Sequence, residues 1–211
     1  MSLTGYRLDL GAADTFRPDD PRLAPLQACA NQHRLTLVVG APVPSPQGLH
    51  IGAIILGPHQ APKTHFKVHL HPGEEGTFTP GLPKPPLRLG PETVGLAICA
   101  DITHPEHVRS AAAQRATIYA AGCFLTPKGY LPDTTLLRGY AAAYGLAVLM
   151  ANFGAPSSGW ASAGRSAIWQ PRGELVVEGP PAGAAILLAR RHRSGWQGRV
   201  LRHPVAILHA V

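Results

Sequence analysis

Cys99 is the residue whose position in the chain most clearly suggests chemistry. It follows an apolar run, residues 94–98, that predicts a buried strand, and Thr103 with Glu106 matches a capping box opening a helix. A thiol at such a corner lies at the carboxyl end of a strand, where open α/β sheets place reactive groups. Backbone N–H groups of the next helix would favour a thiolate and an oxyanion there. Cys99 is therefore a candidate nucleophile, and a buried packing role is the alternative.

Lys67 is the second candidate, upstream of the cysteine. It lies between Phe66 and Val68 in a segment, residues 65–71, that predicts a strand. Alternation along a strand places Lys67 on one face with His65 and His69. An edge lysine that discourages aggregation would show the same pattern, so the lysine alone does not define a site.

A group of histidines in the same segment offers a different chemistry. His65, His69 and His71 have the spacing of metal ligands on a strand, with Glu74 nearby. Against a metal site, Lys67 on that face would repel a cation, and no further ligand group stands out downstream. A metal-dependent hydrolase using these histidines is kept as an alternative.

Several runs occur in an order typical of one family. Two of them lie upstream of the cysteine, one contains it, and shorter matches follow around Asn152 and Ser166. The three main runs are Phe66-Lys67-x-His69-Leu70, Glu74-x-x-x-Phe78-x-Pro80-Gly81 and Gly95-x-x-Ile98-Cys99-x-Asp101. Over residues 3–177 the chain resembles the nitrilase superfamily of carbon–nitrogen hydrolases.

The resemblance implies a Glu–Lys–Cys triad and a second glutamate. Cys99 would be the nucleophile, Lys67 would stabilise the oxyanion, and Glu74 would be the second, positioning glutamate, with the adjacent Glu75 as the alternative. The implied reaction is hydrolysis of a small aliphatic amide or an N-carbamoyl compound through a cysteine thioester, with release of ammonia. The implied fold is a four-layer α-β-β-α sandwich forming a single domain over residues 1–211, commonly assembled as a homodimer. The resemblance implies no metal or organic cofactor.

The beginning of the chain departs from the family pattern. Residues 2–6 fit the segment that follows the family's general-base glutamate, so that glutamate would fall immediately before Met1. We therefore expect the first strand–helix–strand unit to be missing and the chain as given to be weakly active or inactive. A non-catalytic binding or scaffold homologue stays as an alternative.

Composition restricts the class of protein. The 211 residues are 45% hydrophobic and 15% charged, which favours a globular fold. Three cysteines are too few for a disulfide framework, and no stretch resembles a membrane span or signal peptide, so we expect a cytoplasmic protein without a membrane partner. The net charge of +7 rests partly on five arginines near the C-terminus that lack interleaved aromatic platforms, so we expect no nucleic-acid partner. These are Arg190, Arg191, Arg193, Arg199 and Arg202.

The remaining pattern predicts helices and strands that alternate to about residue 152, followed mainly by strands. Helices are predicted over residues 21–34, 107–115 and 133–144, the last capped by Asp133, and a loop over residues 79–91. Strands are predicted over residues 35–39, 49–56, 94–98, 117–121, 146–151, 164–169, 175–178 and 182–189. This order predicts an α/β or α+β fold.

Overall fold

The computed structural model of the protein describes residues 1–202, and the chain divides into two units, Met1–Pro85 and Pro86–Val211. Each unit has its own sheet and its own cluster of buried apolar side chains. The single domain expected over residues 1–211 stays a prediction, and its last nine residues lie outside the described part.

The first unit is built on a three-stranded antiparallel sheet with one α-helix. Its sheet has the order β1-β2-β3 and its buried cluster includes Phe16, Leu23 and Ile54. The elements are short 3-10 helices at Ala12–Asp14 and Pro21–Leu23, α1 at Ala24–His33, β1 at Leu37–Ser45, β2 at Gly48–Leu56 and β3 at Lys63–Phe66. The helix expected over residues 21–34 and the strand expected over residues 49–56 are confirmed.

Two strands of this unit differ from expectation. Strand β1 continues through Pro42 and Pro44, which is possible because β1 lies at the edge of its sheet and a missing N–H costs no ladder bond there. Strand β3 ends at Phe66, so the strand expected over residues 65–71 is wrong beyond that residue. The physical reason is that the Lys67 carbonyl accepts a hydrogen bond from the N–H of Gly81, 2.7 Å away, and so serves the following loop.

The second unit contains a six-stranded sheet, of order β4-β5-β6-β7-β8-β9, and a separate two-stranded ribbon. Strands β5, β6 and β7 are parallel, and the outer pairings are antiparallel. The strands are β4 Leu87–Leu89, β5 Glu92–Ile98, β6 Ile118–Cys123, β7 Ala147–Asn152, β8 Ala167–Trp169, β9 Leu175–Glu178, and the ribbon strands β10 Ala185–His192 and β11 Gly195–Arg202. The helices are a 3-10 helix at Cys99–Thr103, α2 at Pro105–Ala113 and α3 at Pro127–Tyr144.

Apolar packing between the helices and the parallel strands forms the core of this unit. Tyr119 and Val148 of the sheet and Leu137 of α3 are completely buried in one cluster. Gly95 allows α2 to approach β5 closely, because a Cβ atom at this position would lie 2.8 Å from the Cβ of Ala111. The mixed α/β class predicted from the sequence is confirmed, and its four-layer arrangement stays a prediction.

Helix α3 begins earlier than expected. Its N-cap is Thr126, whose hydroxyl accepts the N–H of Gly129, and Pro127 occupies the first helical position, where its missing N–H has no cost. Asp133 is therefore inside the helix, and its expected role as the cap is wrong. Pro132, also inside the helix, does not end it.

Two short regions contain strands that the pattern did not indicate. Strand β4 lies within the loop expected over residues 79–91, and β11 covers part of the arginine-containing C-terminal region. Among the described residues, no helix is both long and apolar enough to cross a bilayer.

Candidate active site

Cys99 lies at the corner predicted for it, where β5 ends at Ile98. It is the first residue of the 3-10 helix Cys99–Thr103, is partly buried, and has a φ of 47°. This left-handed conformation is uncommon for a residue with a Cβ atom. Six other non-glycine residues of the described chain also have a positive φ, so the position of Cys99 at the end of β5 is what makes it a candidate for function. The Cys99 Sγ donates to the carbonyl oxygen of Phe124, 3.9 Å away, just beyond the end of the parallel strand β6.

The helix cap expected after Cys99 is wrong. The Thr103 hydroxyl donates to the carbonyl of Ala100, 2.9 Å away, and α2 begins at Pro105 after His104, whose side chain makes no cap hydrogen bond. The turn that follows Cys99 directly is therefore the 3-10 helix.

Asp101 stabilises the turn at Cys99 from its buried side. Its side chain is completely buried, and its Oδ2 accepts the N–H of Ile98 at 2.9 Å. The Nε2 of His107 lies 3.9 Å from the same oxygen, and the Nδ1 of His107 is 2.9 Å from the hydroxyl of Tyr119. Burial raises the pKa of Tyr119 well above its ordinary value. The sequence contained one sign of this arrangement, an aspartate two residues after the cysteine, but its partners were not predicted.

Lys67 and Glu74 form a buried ion pair in the first unit. Each side chain is 1% exposed, and the Lys67 Nζ lies 2.6 Å from Oε2 and 2.9 Å from Oε1 of Glu74. Oε2 also accepts the N–H of His71 at 2.7 Å, and Oε1 accepts the hydroxyl of Tyr6 at 2.9 Å. This set of donors suits an ionised carboxylate, which has about four acceptor sites.

Backbone hydrogen bonds fix both ends of the pair. Lys67 follows β3, and its N–H donates to the carbonyl of Ile51 at 2.9 Å. Glu74 donates its N–H to the carbonyl of His71 and accepts the N–H of Phe78, whose ring is buried, so a tight turn directs the carboxylate inward.

Glu75, the alternative for the second glutamate, has a different environment. Its side chain is exposed, and its Oε2 accepts the N–H of Gly73 at 2.8 Å. Hydrogen bonds from the backbone N–H groups of Glu75 and Gly73 lower the pKa of this carboxyl. Glu74 is therefore the residue in contact with Lys67.

The three histidines of the alternative metal site do not share a strand face. His65 is buried within β3, the strand ends at Phe66 before His69, and His71 is exposed with its Nδ1 beside the carbonyl of Pro72. The strand alternation that grouped them does not extend that far.

The other two cysteines are also free thiols. Cys123 is buried at the end of β6, and Cys29 is partly buried on α1. Neither lies at a turn with a left-handed residue.

The fold and these residues define a class of protein. A parallel β-strand ending in a cysteine corner, together with the buried lysine–glutamate pair, follows the pattern of a carbon–nitrogen hydrolase. A family model described as carbon-nitrogen hydrolase matches residues 1–198. The chain belongs to this family.

Solved structures of similar proteins agree with this assignment. Nit3 of Saccharomyces cerevisiae, a member of branch 10 of the nitrilase superfamily, is 24% identical with a TM-score of 0.72, over 78% of this chain and 63% of that one. A cysteine-to-alanine mutant of an amidase from Nesterenkonia AN1, from the nitrilase superfamily, is 28% identical with a TM-score of 0.71, over 82% and 68%. The same mutant in complex with butyramide is 27% identical with a TM-score of 0.65, over 75% of this chain and 62% of that one.

The chain thus spans less than two thirds of the Nit3 chain. The comparison with curated proteins gave no significant match.

Proposed function

We propose that this protein hydrolyses the C–N bond of a small aliphatic amide or N-carbamoyl compound through a thioester on Cys99. The observation that carries the proposal is the left-handed conformation of Cys99 at the carboxyl end of β5. Membership of the carbon–nitrogen hydrolase family supports the reaction type. A relative that crystallises with butyramide supports a small amide as the substrate.

In the first step, the sulfur of Cys99 attacks the carbonyl carbon. A C–S bond forms, and the π electrons of the carbonyl move to oxygen, which becomes an oxyanion. The ammonium of Lys67 stabilises this charge, and Glu74 keeps the ammonium oriented. The C–N bond then breaks, the nitrogen takes the proton that the Cys99 thiol gave up, and ammonia leaves a thioester behind.

In the second step, water attacks the thioester carbon. The oxygen of the water bonds to this carbon, the C–S bond breaks, and a proton from the water restores the thiol. The product is a carboxylic acid from an amide and a carbamic acid from an N-carbamoyl compound. Splitting the hydrolysis in this way replaces one high barrier with two lower ones, because amide carbons are poor electrophiles for water.

The test uses p-nitrophenyl butyrate, because p-nitrophenolate leaves without being protonated. A single acylation can therefore be detected even in a chain that turns over amides weakly, as expected for the chain as given. Stopped-flow absorbance measures p-nitrophenolate release, and peptide mass spectrometry locates the butyryl group. We expect one equivalent of release and modification of Cys99. Cys99→Ala should abolish both signals, and Lys67→Met should slow acylation about 100-fold, the effect of losing one oxyanion donor.

The adjacent glutamates provide a matched pair of variants. Glu74→Gln should slow acylation, and Glu75→Gln should react like the wild type because its carboxylate faces solvent. A butyryl group on Cys29 or Cys123 alone, or no acylation, would overturn the proposal and favour the scaffold alternative. Ammonia release from a panel of small amides then defines the substrate, and light scattering tests the homodimer expected from the resemblance.

A further inference from the structure

The N-terminal segment brings a tyrosine to the lysine–glutamate pair. The segment is attached to β1, because the N–H of Leu3 donates to the carbonyl of Gly40 at 3.0 Å and the N–H of Gly40 donates to the hydroxyl of Ser2 at 3.2 Å. Gly5 then turns the chain with a φ of 73°. Tyr6 follows, and its hydroxyl reaches Oε1 of Glu74, 68 residues further along the chain.

The donors around Glu74 come from separate parts of this unit. Lys67 contacts both oxygens, the His71 backbone adds a donor at Oε2, and Tyr6 adds one at Oε1. Loss of the tyrosine hydroxyl would leave Oε1 with the lysine alone. The terminal torsion of a glutamate is soft, so an unbalanced carboxylate reorients easily and moves the ammonium bound to it.

We infer that Tyr6 is a positioning residue for the reaction. Its hydroxyl fixes the Glu74 carboxylate, and Glu74 in turn fixes the Lys67 ammonium in the direction that the oxyanion requires. This inference rests on the proposed function, in which Lys67 stabilises the oxyanion. Because Tyr6 acts through Glu74, it affects the rate of acylation and leaves the binding of the ester unchanged.

The test compares two variants, each of which removes a tyrosine hydroxyl that donates a hydrogen bond to a glutamate. Tyr6→Phe removes the bond to Glu74. Tyr130→Phe removes a hydroxyl in the second unit that lies 3.1 Å from Oε2 of Glu178 and 2.8 Å from the carbonyl oxygen of Arg165. Acylation by p-nitrophenyl butyrate is measured over a range of ester concentrations, which separates the limiting rate constant from the half-saturating concentration.

For Tyr6→Phe we expect the limiting rate constant to fall about 10-fold, as for loss of a hydrogen bond to a charged group, with half-saturation unchanged. Tyr130→Phe should match the wild type. In a Glu74→Gln background, adding Tyr6→Phe should cause less than a twofold further change, because its effect passes through Glu74.

Three results would overturn the inference while leaving the proposed function intact. They are an unchanged rate for Tyr6→Phe, an equal loss for Tyr130→Phe, or a full 10-fold effect that persists without Glu74. If the wild type itself does not acylate Cys99, the proposed function fails and the role of Tyr6 fails with it. Urea unfolding of each variant measures the fraction of protein that is folded under the assay conditions. A rate loss for Tyr6→Phe that disappears when the rate is corrected for this fraction would also overturn the inference.

Discussion

Glu74 shows how one buried carboxylate depends on its donors. Lys67 and Glu74 are both 1% exposed, and a charge at such a site is tolerated because the opposite charge and hydrogen bonds surround it. Removing one partner leaves the other charge uncompensated, which typically costs about 3–5 kcal/mol. We expect Lys67→Met to lower the free energy of unfolding by about that amount, measured by urea denaturation.

The double variant separates charge pairing from packing. In Lys67→Met combined with Glu74→Gln no charge is buried, so the total loss should be smaller than the sum of the two single losses. Glu75→Gln combined with Lys67→Met should be additive, because Glu75 is exposed. Additive losses for the Lys67–Glu74 pair would contradict the energetic coupling described here.

The sequence predicted the lysine and the cysteine corner more completely than their supporting residues. Motif order predicted Cys99, Lys67 and Glu74 as site residues, with Glu75 as the alternative for the last. Only the turn that buries Glu74 distinguishes these two adjacent glutamates by their contact with Lys67. The contact between Tyr6 and Glu74 spans 68 residues. No local periodicity encodes such a distant pairing.

At the scale of elements, the strained corner after β5 depends on Asp101. Its carboxylate accepts the N–H of Ile98 within a completely buried site. Asp101→Ala leaves that N–H without its acceptor, and we expect a loss of about 2–3 kcal/mol in the free energy of unfolding. Asp101→Asn keeps an oxygen acceptor and should lose less, measured by urea denaturation at pH 7.

Asp133 supplies the matched control for this prediction. Burial in α3 raises the pKa of its carboxyl, so the charged form is disfavoured in the folded state. The carboxylate of Asp133 therefore lowers the free energy of unfolding. This destabilisation is absent below the pKa that the group has in the unfolded chain and complete above the pKa that it has in the folded protein. Asp133→Asn should therefore be neutral or stabilising at pH 7, and its advantage should shrink as the pH falls. If Asp101→Ala and Asp133→Asn lowered the free energy of unfolding equally, the turn at Cys99 would not depend on the acceptor that Asp101 provides for the N–H of Ile98.

Apolar runs predicted most of the strands, while a proline inside a helix and the short length of one strand caused two of the errors. The runs at β2, β5, β7 and β9 were found because these strands are apolar or β-branched over their length. Helix α3 was predicted to begin at residue 133 although it begins at Pro127, since Pro132 is a helix breaker by local propensity and tertiary packing overrides that preference. Strand β4 is only three residues long, too short for a periodic signal.

At the scale of the whole molecule, the single-domain prediction concerns how the two units unfold. The family model spans residues 1–198 and so includes both units, and a unit of the size of Met1–Pro85 buries a smaller fraction of its surface than the whole chain would. We therefore expect a single cooperative unfolding transition.

The tryptophans offer a direct test because Trp160, Trp169 and Trp196 all belong to the second unit. Their fluorescence reports that unit, far-ultraviolet circular dichroism reports the backbone of both, and iodoacetamide labelling of Cys29 reports α1 in the first. In a two-state transition all three urea midpoints coincide. A midpoint for Cys29 labelling well below the fluorescence midpoint would show that the first unit unfolds independently, and the single-domain prediction would then be wrong.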